Sequence, residues 1–161
     1  MNPIIVGIIT ISDRAAEGVY QDLGGPVLAQ KCRELGWQIQ SEAIVPDDVE
    51  RIQSSIRGFS AQGCQLILTT GGTGIAPRDR TPEAIRAIMR LEIPGFGEMM
   101  RAESFKLTPN GILSRGLAAV VDRSLVIALP GKPQGAVDCL TMVVGAIPHA
   151  VKLTQGVPTS C

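Results

Sequence analysis

A strand that is apolar on both faces must be covered from both sides. Residues 4–10, IIVGIIT, form such a strand, rich in β-branched side chains and with no polar face to turn to solvent. The sequence that follows supplies the cover. Residues 22–35 are predicted to form a helix, with Val27, Leu28, Cys32 and Leu35 one and two turns apart and Gly36 as the stop. A second strand is expected at 37–45. A second helix over 48–62 places Val49, Ile52, Ile56 and Phe59 on one stripe, closes at Gly63, and leads to a third strand at 65–70. This β-α-β-α-β order, with connections long enough for right-handed crossovers, predicts a single α/β domain over residues 1–161. Its architecture should be a three-layer α/β/α sandwich around a mostly parallel, Rossmann-like central sheet.

Beyond this core, Thr81 and Pro82 suit the N-cap and first turn of a short helix running through Met89, and a further helix is expected around 97–105. Residues 108–115 read as loop. Residues 118–121 and 124–129 could pair as a hairpin across Asp122 and Arg123, or the second could be a central strand ending at Pro130 and Gly131; the central strand is the preferred reading. A long helix over 133–153 completes the chain, with an apolar stripe from Ala136 to Val151 and a kink expected at Pro148.

Composition narrows the functions. The 15 basic and 15 acidic residues cancel, so no overall charge favours nucleic acid or an anionic membrane, and 3% aromatic residues give no platform for single-stranded nucleic acid. The apolar stretches 4–11 and 139–148 fall short of the ~20 residues that cross a bilayer. Nothing positive precedes the first of them before Arg14, so it reads as a strand rather than a secretory signal, and a soluble protein is expected. Cys32, Cys64, Cys139 and Cys161 form no CxxC pair and no zinc spacing with His149, the single histidine, which fits plain thiols in a reducing cytoplasm. With no GxSxG elbow and no second histidine, a serine-hydrolase triad and a zincin are both excluded.

The chemistry gathers at predicted strand ends, where open α/β sheets bind ligands. The third strand runs into Gly71, Gly72, Thr73 and Gly74, glycines that let backbone N–H groups approach phosphate oxygens and a hydroxyl that can donate another hydrogen bond. The same residues also fit a tight strand-to-helix turn. Asp79, framed by Arg78 and Arg80, could hold Mg²⁺ beside a phosphate loop or could merely support the next helix. Asp47 ends the second strand; Asp47-Asp48-Val49-Glu50 also matches a capping box. Two carboxylates beside a glycine loop give the geometry for magnesium-assisted phosphoryl or nucleotidyl transfer. Ser12 and Asp13 leave the first strand toward the same edge, and Lys132 follows the last strong strand, placed to meet an anion or to lie in solvent. His149 reads as structural.

The motifs ISDRAAEG at 11–18, VPDD at 45–48, LTTGGTGIAPRDRTPEA at 68–84, PGFGEMMR at 94–101, ILSR at 112–115 and LPGKP at 129–133 occur in order along nearly the whole chain. Together they resemble the molybdopterin adenylyltransferase family, related to the gephyrin G domain. The resemblance implies a cytoplasmic homotrimer that transfers AMP from ATP, with Mg²⁺, onto the terminal phosphate of molybdopterin, releasing pyrophosphate and preparing the product for a molybdate-insertion enzyme. Carried over by motif, it implies that Asp47 and Asp79 are the essential carboxylates and hold magnesium. It also implies that Gly71, Gly72, Thr73 and Gly74 form the nucleotide-phosphate loop, that Ser12 and Asp13 line the pocket, and that Ser104 makes a pterin-side contact. Two positions depart from the pattern: Arg80 stands where relatives commonly carry valine, and Ala128 where they often carry asparagine. A non-catalytic carrier or scaffold that retains molybdopterin or nucleotide affinity is the alternative, and loss of either aspartate would favour it. Both are present.

Overall fold

The computed structural model describes residues 2–160. It contains β1 (Ile5–Ile11), α1 (Asp13–Ala16), α2 (Gly24–Glu34), β2 (Gln38–Val45), α3 (Val49–Ala61), β3 (Leu66–Thr70), α4 (Thr81–Arg86), β4 (Leu91–Glu92), α5 (Pro94–Leu107), β5 (Ala118–Val121), β6 (Ser124–Leu129), α6 (Pro133–Val143) and α7 (Ile147–Thr154). The six strands form one sheet in the order β2-β1-β3-β6-β5-β4. Its first four strands run parallel, and β5 and β4 join antiparallel to them.

The two-sided apolar strands do what their composition requires. On one face Val6, Ile8, Leu66, Leu68, Leu125 and Ile127 pack with Leu28 and Cys32 of α2, Phe96 and Met100 of α5, Leu140 of α6 and Val151 of α7. On the other, Ile9, Ile67, Val126 and Ala128 meet Ile52, Ile56 and Phe59 of α3 and Ile85 of α4. Each fully buried Leu or Ile contributes about 1.5–3 kcal/mol relative to exposure. The three-layer α/β/α domain predicted from the sequence is the fold.

The register sets the site. Thr10 of β1 pairs with Thr70 of β3, Thr70 with Leu129 of β6, and Ile11 with Val45 of β2, so the carboxyl ends of the four parallel strands come abreast. From β1 the chain crosses to β2 on one side and later returns to β3 on the other. That switch point opens a crevice beyond the strand ends.

Several local features differ from the sequence reading. Ser12 caps a short helix, α1, by accepting a hydrogen bond from the Ala15 N–H at 3.2 Å. Helix α2 starts at Gly24 rather than at residue 22, and Asp22 accepts from the Gly25 N–H at 3.0 Å. The α5 helix begins at Pro94, whose missing N–H costs nothing in a first turn, and a 3-10 helix, Pro109–Leu113, lies within the expected loop. The two readings of residues 118–129 are both realised: β5 and β6 form an antiparallel hairpin, with Asp122 at φ 52°, while β6 is also a central strand parallel to β3. The last helix is interrupted by a 3-10 turn, Val144–Ala146, and Pro148 sits in the first turn of α7 instead of kinking a continuous helix. The run Pro133–Thr154 has the length and apolar composition of a membrane span, but it buries Ala136, Leu140, Ile147 and Val151 against the sheet as core helices do. Among the described residues Cys32, Cys64 and Cys139 are buried free thiols; the fourth predicted thiol, Cys161, lies outside the described residues.

Candidate functional site

The crevice is built around the exit of β3. Gly71 and Gly72 have φ of 107° and 68°, a left-handed conformation that side chains strain to adopt. A Cβ on Gly71 would collide with the Ile11 carbonyl oxygen, and one on Gly72 would strike the Thr81 hydroxyl and come within 3.1 Å of Asp47 Oδ1. The turn is fixed by hydrogen bonds. The Gly71 N–H donates to Leu129 O at 3.1 Å, the Thr81 hydroxyl donates to Gly71 O at 2.9 Å, and the Thr81 N–H donates to Gly72 O at 3.1 Å. Thr81 therefore does not cap α4, as expected from sequence; it is fully buried and anchors the glycine turn, and the capping position falls to Arg80, whose side chain makes no capping bond.

Arg115 closes the turn from the other side. Its Nε donates to Gly74 O at 2.8 Å, its Nη2 to Asp79 O at 2.8 Å, and its Nη1 reaches Glu83, while its backbone N–H donates to Thr73 O at 2.8 Å. One guanidinium thus ties the glycine loop to the Asp79 turn, a task that uses its planar fork of donors. The bond to Arg115 also holds the Glu83 carboxyl below its usual range.

Three carboxylates line the cleft, those of Asp22, Asp47 and Asp79. The capping-box reading of Asp47 is replaced by a shift of one residue: Asp48 is the N-cap of α3, accepting from the Arg51 N–H at 2.9 Å. Asp47 is freed for a reciprocal pair with Asp13, in which the Asp13 N–H donates to Asp47 Oδ2 at 3.1 Å and the Asp47 N–H to Asp13 Oδ1 at 3.0 Å. Arg78 grips Asp13 with two bonds, at 2.5 and 2.9 Å, and this holds the Asp13 carboxyl below its usual range. Asp47 behaves in the opposite way. Burial pushes its carboxyl up, and the charges of Asp13 and Asp79 add to the rise against the Asp13 N–H and Arg78. Asp79 Oδ2 accepts from the Ala76 N–H at 2.9 Å, so it stabilises its own turn and does not cap α4.

Among the described residues no three His, Cys, Asp or Glu side chains form a ready metal cage. The Asp47 and Asp79 carboxylates, near enough for the charge of Asp79 to oppose the ionisation of Asp47, are instead a sparse oxygen donor set of the kind that suits Mg²⁺ bound together with substrate phosphate oxygens.

The remaining predicted residues divide. Ser12, Gly71, Gly72, Asp47 and Asp79 line this cleft, whereas Asp13, Thr73 and Gly74 do not. Asp13 holds Asp47, and Thr73 and Gly74 present their carbonyls to Arg115. Ser104 and Lys132 line a second cleft, together with Asn110, Pro130 and Cys139. There the Ser104 hydroxyl lies 3.6 Å from the Cys139 sulfur, and burial raises the Cys139 thiol. Gly131 borders the first cleft while Pro130 and Lys132 border the second, so the turn at residues 130–132 is their common wall. The Thr70 hydroxyl fixes that wall by donating to Pro130 O at 2.7 Å. The departure at Ala128 touches neither cleft: it is buried under α3 and α4, paired with Thr69, whose buried hydroxyl has no partner. Arg115, Thr81, Tyr20 and Asp22 belong to the site and are not predicted as site residues from sequence. Arg115 and Thr81 carry a signal as members of the ILSR and LTTGGTGIAPRDRTPEA motifs.

A family model described as "Probable molybdopterin binding domain" matches residues 7–149. The chain belongs to this molybdopterin-binding family. It is 43% identical to the molybdopterin adenylyltransferase of Helicobacter pylori, over 97% of this chain and 90% of that one. It is 35% identical to the molybdopterin adenylyltransferase of Escherichia coli, over 97% and 88%. The crystal structure of the molybdopterin biosynthesis enzyme MoaB from Thermus thermophilus superposes with a TM-score of 0.90 at 40% identity, covering 98% of this chain and 99% of the other.

Two predictions test the electrostatics and the framework. Because the folded-state pKa of Asp47 lies above the ordinary 3.8, its ionised form costs the folded state stability at neutral pH, a cost absent below pH 3.8. Asp47→Asn keeps an oxygen for the Asp13 N–H and should melt at a higher temperature than the parent at pH 7. The two melting curves should converge as the pH falls below about 4, by the same linkage. Arg115→Met should lower stability by about 1–3 kcal/mol in denaturant unfolding and speed amide hydrogen exchange across residues 71–79. An unchanged exchange pattern would remove Arg115 from the framework of the loop.

Proposed function

We propose that this protein transfers AMP from ATP to the terminal phosphate of molybdopterin. The observation that carries the reading is the pair of clefts sharing the wall at residues 130–132: one has a glycine turn with Asp47 and Asp79 beside it, the other Ser104 and Lys132. Such a layout suits two phosphorylated substrates brought end to end. The names borne by the relatives from Helicobacter pylori and Escherichia coli support the same reaction.

A phosphate oxygen of molybdopterin attacks the α-phosphorus of ATP; that O–P bond forms as the bond from the α-phosphorus to the bridging oxygen breaks, and pyrophosphate leaves with the electron pair. The attacking group is already an anion, so the protein needs no serine or cysteine nucleophile and no general base, and its work is alignment and charge neutralisation. The Gly71-Gly72 turn, bare of side chains, lets the nucleotide phosphates approach the backbone, with Ser12 offering a polar side chain beside it. Asp47 and Asp79 would hold Mg²⁺, which when bound neutralises phosphate charge and stabilises the leaving group. Asp13 and Arg78 keep Asp47 aimed into the cleft from outside it. In the second cleft Lys132 meets the pterin phosphate and Ser104 contacts the pterin side.

The reading extends to a cytoplasmic homotrimer whose product passes to a molybdate-insertion enzyme. Partly exposed Leu91, Met99 and Leu153 supply apolar surface for self-association.

The test is to mix the purified protein with fresh molybdopterin, Mg²⁺ and ATP and look for adenylylated molybdopterin by mass spectrometry. The product is expected to form, and Asp79→Asn is expected to slow it by about a hundredfold or more, the scale of losing a metal's charge stabilisation. Binding of both ligands without product would make the protein a carrier.

A further inference from the structure

The cleft that holds the glycine turn is also lined by residues that the phosphate chemistry does not use: Tyr20, Asp22 and Gly24. The other aromatic rings are committed elsewhere: Phe59 and Phe96 lie in the core, Trp37 packs against it, and Phe105 is exposed on α5. The Tyr20 side is held in place although 46% of the residue is exposed. The Val19 and Tyr20 N–H groups both donate to Arg14 O, at 3.0 and 3.2 Å, folding the connection after α1 back on itself. The Arg14 guanidinium carbon sits over the ring, 5.9 Å from its centroid, a cation–π contact that occupies one face.

Asp22 is the third carboxylate of the cleft, and its hydrogen bonding sets it apart from Asp47 and Asp79, each of which accepts through Oδ2 alone. The Asp22 carboxylate accepts from the Thr10 hydroxyl at 2.9 Å and from the Gly25 N–H at 3.0 Å, so both its oxygens are occupied and it is fixed as an acceptor-only group in the cleft that Tyr20 lines. Phosphate oxygens are repelled by such a group. A flat heteroaromatic with donor N–H groups on its edge and an apolar face is not.

We infer that Tyr20 is the stacking surface for the purine base of the nucleotide, with Arg14 backing the ring. The inference rests on the reading of this cleft as the nucleotide site and adds to it the residue that distinguishes a nucleoside triphosphate from a bare polyphosphate. A single ring is enough for a single base, and base–aromatic stacking tolerates the absence of further aromatic residues.

Isothermal titration of the parent protein, Tyr20→Ala and Tyr20→Phe with Mg-ATP and with magnesium tripolyphosphate tests this, with melting temperatures as a check on folding. The parent should bind Mg-ATP more tightly than tripolyphosphate. Tyr20→Ala should weaken Mg-ATP roughly five- to a hundredfold, the range of one lost base stack, and leave tripolyphosphate unchanged. Tyr20→Phe should bind both ligands as the parent does. Unchanged Mg-ATP affinity in Tyr20→Ala, an equal loss for both ligands, or a loss in Tyr20→Phe as large as in Tyr20→Ala would each overturn the stacking role while leaving the nucleotide site standing. A parent protein that binds neither ligand would overturn both.

Discussion

Two consecutive glycines in left-handed conformation carry the chain out of β3, and the site is assembled on that turn. Its carbonyls are taken by Thr81 and its neighbours' carbonyls by Arg115, while Gly71 packs so closely on the end of β1 that no side chain fits between them. These bonds and this packing join segments far apart in sequence: the ends of β1, β3 and β6, the start of α4 and the approach to β5. The strand register alone would bring the strand ends abreast. The hydrogen-bonded turn converts that alignment into a bare backbone surface bordered by Asp47 and Asp79.

Asp13 and Asp47 bond to each other yet sit in opposite electrostatic environments. Asp13 is neutralised by Arg78, and its own N–H and carboxylate lock Asp47 in place. Asp47 is left partly desolvated and close enough to Asp13 and Asp79 for their charges to oppose its ionisation. A carboxylate whose ionised form costs stability at neutral pH is expected at a functional site. The cleft on the other side of the 130–132 wall is lined by Lys132 and Asp138, one charge of each sign, whereas the charged residues lining the first are all aspartates.

Much of this was legible in the sequence because periodicity reports burial. IIVGIIT could only be a strand covered on both faces, and the amphipathic stripes of α2 and α3 showed what covered it. The strand-end motifs therefore point to one edge of the sheet. Local spacing failed where tertiary contacts decide. Asp47 and Asp48 are equally good caps by residue type, and only the bond from Asp13 shows which is free. Thr81 preceding a proline is a cap by local rules, yet a carbonyl ten residues earlier claims its hydroxyl. Arg115 acts across 36 residues on Asp79, a link that no local pattern reveals. Hairpin and central strand were posed as alternatives for 124–129, but a strand has two edges and β6 uses both.

The proposed reaction requires nucleotide phosphates on the Gly71-Gly72 turn with a divalent cation between them and Asp47 and Asp79. A crystal structure with Mn²⁺ and a non-hydrolysable ATP analogue tests this arrangement, because Mn²⁺ substitutes for Mg²⁺ and scatters anomalously. An anomalous peak is expected at roughly 2.0–2.2 Å from carboxylate oxygens of both Asp47 and Asp79, with phosphate density against the glycine turn. A nucleotide seated in the cleft of Ser104 and Lys132, or a metal bound without either aspartate, would contradict it.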